Sequence, residues 1–358
     1  CPHILAEPQR TNLLTYSEDF SDISFSKANI TVASDSVNSL DGTLNADLIL
    51  ETSANDRHIF WDNAAVSGGD YTVSIFLKKQ NNRYVFLQSG VDNATDRYGV
   101  IYDFDGQVVT DTNSKGSPTN TSYKVEQHIN GWVRLSITQT HTSGDVYLIG
   151  GGSDAAIPTY NVQKEPIYTG NASNGFYAWG AQIEAGSYAT SYIPTSGSTV
   201  TRNQDQFTRD GIGSLINSTE GVLFVEMSAL ADDLTGRSIS LNDGTYTNTV
   251  ILRYLDLSNQ IQGVVRIGGS FKGICTHTLS DSTISIKVAY KWKDSDFALW
   301  INGSEVATSS DVGAFSTDTI NKLSFDKGDD TQDFFGKVKQ LQVYKTALTD
   351  TQLAALTS

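Results

Sequence analysis

At 358 residues the chain exceeds one ordinary domain, so two domains are expected, each able to bury its own core. Its 39% hydrophobic content includes no run near the ~18 apolar residues of a membrane-spanning helix, which excludes membrane insertion by helices. Forty acidic against 25 basic residues give a net charge of −15, and a field of that sign repels nucleic-acid phosphates and anionic lipid headgroups wherever no basic patch intervenes.

The two cysteines, Cys1 and Cys275, are too few for a disulfide framework or a cysteine metal centre. A cysteine at the first position is also what a lipid-anchored protein of a bacterial outer surface would carry. Residues 1–9, with Pro2 and Pro8, read as an extended lead-in rather than a strand. The first folded unit spans 10–195. In it Tyr71, Val73, Ile75 and Leu77 share one face, as do Arg83, Val85 and Leu87, and Asn81-Asn82 between them predicts a hairpin. Val100–Phe104, the turn dipeptide Asp105-Gly106 and Val108-Val109 predict another. Trp132–Thr138 alternates apolar with partly polar positions, as a half-buried antiparallel strand does. Gly175–Thr195 closes the unit: Phe176, Ala178 and Gly180 alternate with Tyr177, Trp179 and Ala181, and Pro194 ends the pairing.

Residues 196–218 lack periodicity and read as a linker. The second unit spans 219–358, with strands expected at Gly221–Met227, Thr249–Tyr254, Ile261–Ile267, Thr283–Trp292, Phe297–Val306 (turning at Asn302-Gly303), Lys322–Phe325 and Gly336–Tyr344. Thr349-Asp350-Thr351-Gln352 is a capping box, and Leu348, Leu353 and Leu356 supply the apolar face of one short C-terminal helix. The fold class is therefore all-β, two tandem antiparallel β-sandwiches with that helix.

The segments Arg10–Phe20, Gly131-Trp-Val-Arg-Leu-Ser136, Trp179-Gly-Ala-Gln-Ile-Glu184 and Ser191-Tyr-Ile-Pro-Thr195 resemble a jelly-roll module common in bacteriophage fibre and spike proteins, itself similar to carbohydrate-binding modules. Phe297-Ala-Leu-Trp-Ile-Asn-Gly-Ser-Glu-Val306, Phe335–Tyr344 and Ala347-Leu-Thr349 resemble laminin-G-like and concanavalin-A-like sandwiches. The first resemblance implies a virion-surface, extracellular protein, a fibre, spike or capsid decoration. The first also implies a polysaccharide ligand, contacts with other virion proteins and a symmetric homo-oligomer such as a trimer, whereas sandwiches of the second kind host lectins, hydrolases and adhesive spacers alike.

Glycan binding by a sandwich relies on flat aromatic faces beside polar side chains, because sugar rings carry both C–H faces and hydroxyls. Tyr84, Phe86, Tyr98 and Tyr102 are the candidates, with Trp61 and Trp132 beside them and the Tyr84/Phe86 pair foremost. Trp132 and Trp179 are expected to pack, and Trp292 and Trp300 of the second unit are ambiguous between core and ligand face. The densest carboxylate run, Asp326, Asp329, Asp330 and Asp333 around Gly328, is the candidate calcium site, since calcium takes several oxygen ligands at once.

No catalytic residues are assigned. A glycosidase needs two carboxylates about 5 to 9.5 Å apart across the sugar, and Asp294 and Asp296, at i, i+2 in the second unit, fall between Trp292 and Phe297, where a turn is expected. His58, His128, His141 and His277 lie on separate segments and form no metalloprotease motif. A polysaccharide-degrading enzyme or its accessory module, and a structural spacer without ligand, are the alternatives to glycan binding.

Overall fold

The computed structural model describes residues 3–91 and 95–358. Strands make up 54% and helices 4%, so the chain is all-β. It folds as two units, one of Gln9–Asn203 and one joining the described part of Cys1–Pro8 to Gln204–Ser358. Cys1 lies outside the described residues.

The first sandwich has two six-stranded antiparallel sheets. One runs, in spatial order, Val108–Lys115, Arg97–Asp103, Tyr84–Val91, Gly144–Ser153, Ile59–Val66 and Ser26–Ala28. The other runs Thr119–Gln127, Trp132–His141, Gly69–Lys79, Gly175–Ala185, Leu44–Glu51 and Ile30–Asn38. Alternate residues point to opposite faces of a strand, so Val73, Ile75, Leu77, Val133, Leu135 and Ile137 meet Val85, Leu87, Val100 and Leu148 in one apolar layer.

That layer corrects one expectation. Gly69–Lys79 and Tyr84–Val91 are not a hairpin; they belong to different sheets and face each other across the core. Asn81 and Asn82 make the corner, both donating their amide N–H to Gly175 O at 3.1 and 3.0 Å, while Asn82 Nδ2 reaches Glu51 Oε1 at 2.6 Å. Strand periodicity is the same in a hairpin and in an arch between sheets, so alternation does not separate the two. Asp105-Gly106 does join neighbouring strands, Tyr102 pairing with Val109 and Asp103 with Val108.

The strand at Trp132–His141 is buried on both faces rather than one. Its outer face, with that of the strand beside it, is covered by the exit arm: Tyr192 packs on Trp179 at 4.5 Å between ring centroids and on Phe76 at 6.1 Å, and Arg134 Nη1 donates to Thr190 O at 2.6 Å. The arm is tied in turn to the opening segment. Asn12 Nδ2 donates to Ile193 O and Ala181 O, the Tyr192 hydroxyl donates to Glu18 Oε1, and the Thr195 amide donates to Ser17 Oγ. Gln182 and Glu184 accept from the Ile193 and Thr190 amides. The segments that carry the phage-module resemblance therefore form the seam that closes this sandwich. Trp132 and Trp179 are buried in that seam's core.

In the second sandwich one sheet runs Ile4–Ala6, Gly336–Tyr344, Glu220–Ala229, Ile286–Lys293, Phe297–Ile301 and Ser304–Ser309. The other runs Thr208–Arg209, Lys322–Ser324, Arg237–Asn242, Thr249–Tyr254, Gln260–Ile267 and Ser270–Thr278. Several segments differ from the sequence reading, and of these Arg237–Asn242 and Ser270–Thr278 are strands it did not expect. Ile4–Ala6, read as a lead-in, is an edge strand paired with Gly336–Val338, and Ala6 is fully buried. The segment read as a linker supplies two short strands, Val200–Arg202 on Arg10–Asn12 and Thr208–Arg209 on Leu323-Ser324. Such short edge pairings lack the periodicity that marks longer strands.

The C-terminal helix, Asp350–Thr357, begins at the capping box: the Gln352 amide donates to Thr349 Oγ1 and the Thr349 amide to Gln352 Oε1. Leu353 is fully buried against Val222, Phe224, Ala289, Ala298 and Trp300, on the outer face of the sheet that contains Glu220–Ala229. Trp300 is thus a packing residue, and Trp292, 2% exposed, lies in the main core.

Candidate functional site

In the first sandwich the four expected aromatics do not form one platform. Register places Tyr84 and Phe86 on the outer face, opposite Asp103 and Ile101, and Tyr98 and Tyr102 on the inner face with Val85 and Leu87. Phe86 is 0% exposed and Tyr102 is 1% exposed, its hydroxyl accepting from Gln127 Nε2 at 2.7 Å. Tyr98 is half-buried against the core. Of the four, only Tyr84, half-buried under the Arg83 guanidinium at 5.1 Å from its centroid, keeps an outer-face ring partly open.

Phe86 is shut in because the 154–167 segment lies across that face as a strap. Ile59, Phe86, Ile101 and Ile149 form a small second core beneath it, rimmed by Trp61, Tyr84, Tyr147 and Tyr160. The strap is held by polar contacts. Tyr160 donates to Asp111 Oδ2 at 2.6 Å, Thr110 Oγ1 to Ala156 O at 2.8 Å, and Gln88 Nε2 to Gln163 O at 3.2 Å. Glu165, 1% exposed, takes Arg57 Nη1 at 2.7 Å and Arg97 Nη1 at 2.8 Å.

A cleft of about 250 Å³ in the same sandwich is lined by Tyr16, Glu18, Asp19, Asp35, Asn45 and Asp47. Burial first, then repulsion from Asp19 and Asp35, pushes Asp47 up to about 6 against two backbone donors that pull it down. That value resembles a general acid's. Its oxygens are nonetheless spent on structure, Oδ2 accepting from the Phe20 amide at 2.8 Å and Oδ1 from the Asp35 amide at 3.0 Å, and the residue is 1% exposed. Asp294 accepts from the Gly313 amide and Asp296 pairs with Lys291 at 2.6 Å, so these two carboxylates also serve local partners in their turn.

The carboxylates of the expected calcium loop are drawn into local structure. Asp326, 4% exposed, accepts from the Gly328 amide; Asp329 accepts from Thr331 Oγ1 at 2.6 Å; Asp333 accepts from Gln204 Nε2 at 3.3 Å; Asp330 sits in the turn at φ 57°. Burial, and then the neighbouring carboxylates, raise Asp326 and Asp333 above the usual aspartate value. Among the described residues no three acidic, histidine or cysteine side chains converge as metal ligands.

In the first sandwich Tyr123 is 45% exposed, and an exposed aromatic ring with cations around it lies on the outer face of the second sandwich, which the sequence reading missed. Phe271, 44% exposed, sits on Ser270–Thr278 directly opposite Arg266. Tyr246, half-buried, approaches it at 6.3 Å between centroids in an edge-on arrangement. Arg266 stacks over Tyr246 at 4.1 Å and over Phe271 at 5.5 Å; Arg253 lies 5.8 Å from the Phe271 centroid and Lys327 4.6 Å from that of Tyr246. Beside them Gln262 accepts from Arg253 and donates to Thr276 Oγ1 at 2.8 Å, and Ile274 is 49% exposed. The loop carrying Tyr246 is braced by the Gly268-Gly269 turn, whose amides donate to Asn248 Oδ1 and Thr247 O. That two-glycine turn, flanked by Arg266-Ile267 and Ser270-Phe271, was a legible hairpin signal that would have paired Arg266 with Phe271. Flat rings, planar cations and amide and hydroxyl groups together are the chemistry a sugar ring takes up.

No family model and no curated protein sequence matches the chain. Among solved structures it is similar to the CBM40 module of a Ruminococcus gnavus IT-sialidase bound to alpha2,3 sialyllactose, at 18% identity over 42% of this chain and 98% of that one, with a TM-score of 0.35. It is also similar to domains LG4-5 of the mouse laminin alpha1 chain (9% identity, 83% and 90% covered, TM-score 0.28) and to a Limulus polyphemus pentraxin (16%, 40% and 71%, 0.32). Likenesses this loose carry no argument about function, which rests on the chain's own residues.

Proposed function

We propose that the chain is a non-enzymatic surface component of a bacteriophage particle, a fibre, spike or capsid decoration, that binds host-surface or environmental glycans. The observation that supports binding is the exposed Phe271 beside the half-buried Tyr246, with its flanking Arg, Gln and Thr side chains. The particle assignment rests on the resemblance of the 10–20, 131–136, 179–184 and 191–195 segments alone. Each contact of this kind is weak, and many copies on one particle convert weak contacts into avidity.

The test is a glycan-array screen of the purified chain in calcium and in chelator, followed by a reducing-end assay on every glycan bound. Binding without product, weakened about tenfold or more by Phe271→Ala, is the expected result. Tyr84→Ala in the same screen reports on the first sandwich, and loss of binding in chelator would assign calcium to the Asp326–Asp333 loop. Release of new reducing ends would replace the reading with a polysaccharide-degrading enzyme, and silence throughout would leave a structural spacer. A symmetric homo-oligomer, a trimer, is part of the same proposal; a monodisperse monomer in light scattering at physiological salt would remove it.

A further inference from the structure

We infer that the Tyr246/Phe271 surface selects an acidic saccharide, one bearing a carboxylate or sulfate group, which Arg253 and Arg266 hold by their free N–H edges. The inference deepens the glycan-binding reading and rests on it. The reason is the state of the two guanidinium groups. Each of the arginines Arg57, Arg83, Arg97 and Arg237 forms an ion pair with an Asp or Glu of this chain. Among the described residues neither Arg253 nor Arg266 has such a partner, although the chain carries 40 acidic residues.

Their partners are neutral. Arg266 Nε donates to Gly269 O at 2.9 Å and Nη1 to Tyr246 O at 3.0 Å; Arg253 Nε and Nη2 both donate to Gln262 Oε1, at 3.1 and 2.7 Å. A guanidinium has five N–H donors, so both keep donors in hand and neither charge is cancelled. The nearby acids are committed: Asp243 accepts from Thr245 and Asn248, and Asp329 from Thr331, with Lys327 at 3.7 Å. Both arginines are only part-exposed, and the aromatic faces fix their planes. A fixed planar fork meets carboxylate or sulfate oxygens in pairs, whereas hydroxyls alone leave its charge unanswered. A ring carrying such a group would pack against Phe271 and present its anion to the two forks.

The probe is a glycan array on which each uronate-bearing oligosaccharide is printed beside its methyl ester and each sulfated one beside its desulfated form. The expected result is binding to the acidic member of a pair and loss on the neutral member. Arg253→Gln and Arg266→Gln should each weaken it about tenfold, while Arg209→Gln, the same change in net charge at an exposed site away from the patch, leaves it unchanged. Arg266→Lys keeps the charge and loses the fork, and should fall between. Equal binding to both members of the pairs overturns the acidic selection while the glycan reading stands. Acid-selective binding that survives both Gln substitutions overturns the assignment to these arginines. Absence of binding to every member removes the glycan reading and this inference with it.

Discussion

Glu165→Gln is expected to destabilise the first sandwich by about 3 kcal/mol, because it removes the anion that answers two arginines in a poorly solvated site. Glu165 is 1% exposed, the Arg97 side chain 12% and the Arg57 side chain 32%. Breaking a buried pair leaves the remaining charge without its partner; the Arg57 share is discounted because water reaches it. Asn161 Nδ2 and the Glu165 and Gln163 amides, the latter two on Asn161 Oδ1, complete the knot that holds the strap over Phe86. The loss is measured by urea unfolding of the whole chain. Hydrogen exchange across 154–167 should rise with it, and unchanged exchange together with unchanged stability would show that the strap is held by its apolar underside alone.

The effect has a defined pH dependence. Burial by itself would raise the Glu165 carboxyl, but hydrogen bonds from Asn161 and Arg57, the Arg57 charge and the Arg97 hydrogen bond outweigh it and hold the group below the ordinary glutamate value. A depressed folded value means the stabilisation is complete above the unfolded value, about 4.3, and is lost as pH falls through the folded one. The gap in stability between the native chain and Glu165→Gln should therefore be constant near neutrality and close under acid. The difference between the two curves is the quantity to read, because the buried Asp47 and Asp62, both raised to about 6, contribute with the opposite sign to each curve alone.

Gly263→Ala is expected to cost the second sandwich about 3 kcal/mol, a large effect for a single methyl group. A Cβ there would meet Tyr290 Cγ at 2.5 Å and Cδ2 closer still. The ring has nowhere to withdraw. Tyr290 is 0% exposed and its hydroxyl donates to Gly273 O at 2.6 Å on the next strand, so any retreat breaks a buried hydrogen bond. Gly273 is itself constrained, at φ 59° with the Phe297 ring where its Cβ would stand. Thermal unfolding of the second sandwich reads the loss. Pairing the substitution with Tyr290→Leu should recover part of it, and no recovery would show that the clash with the ring does not set the cost.

Much of this was legible in the chain itself. Alternation marked which residues of Gly69–Lys79, Tyr84–Val91 and Trp132–His141 point inward, since side-chain direction is a local property of an extended backbone. Turn chemistry placed Asp105-Gly106 and Asn302-Gly303, and the Thr349/Gln352 capping box placed the helix, because each is settled within a few residues. The close approach of Tyr290 to Gly263 was not read from the sequence, because the ring comes from another strand.

Local pattern thus settled the fold class and the inward face of most strands. Which strands are neighbours, which outer faces stay open, and hence where a ligand can touch, were set by the packed chain. Phe86 and Phe271 both stand on strands of the folded chain, yet the 154–167 strap closes over one, while the described residues around the other leave it 44% exposed. The cover over Phe86 is held by residues distant from it in sequence, Glu165 with Arg57 and Arg97. Periodicity reports a residue's local direction; burial depends on what the rest of the chain brings above it.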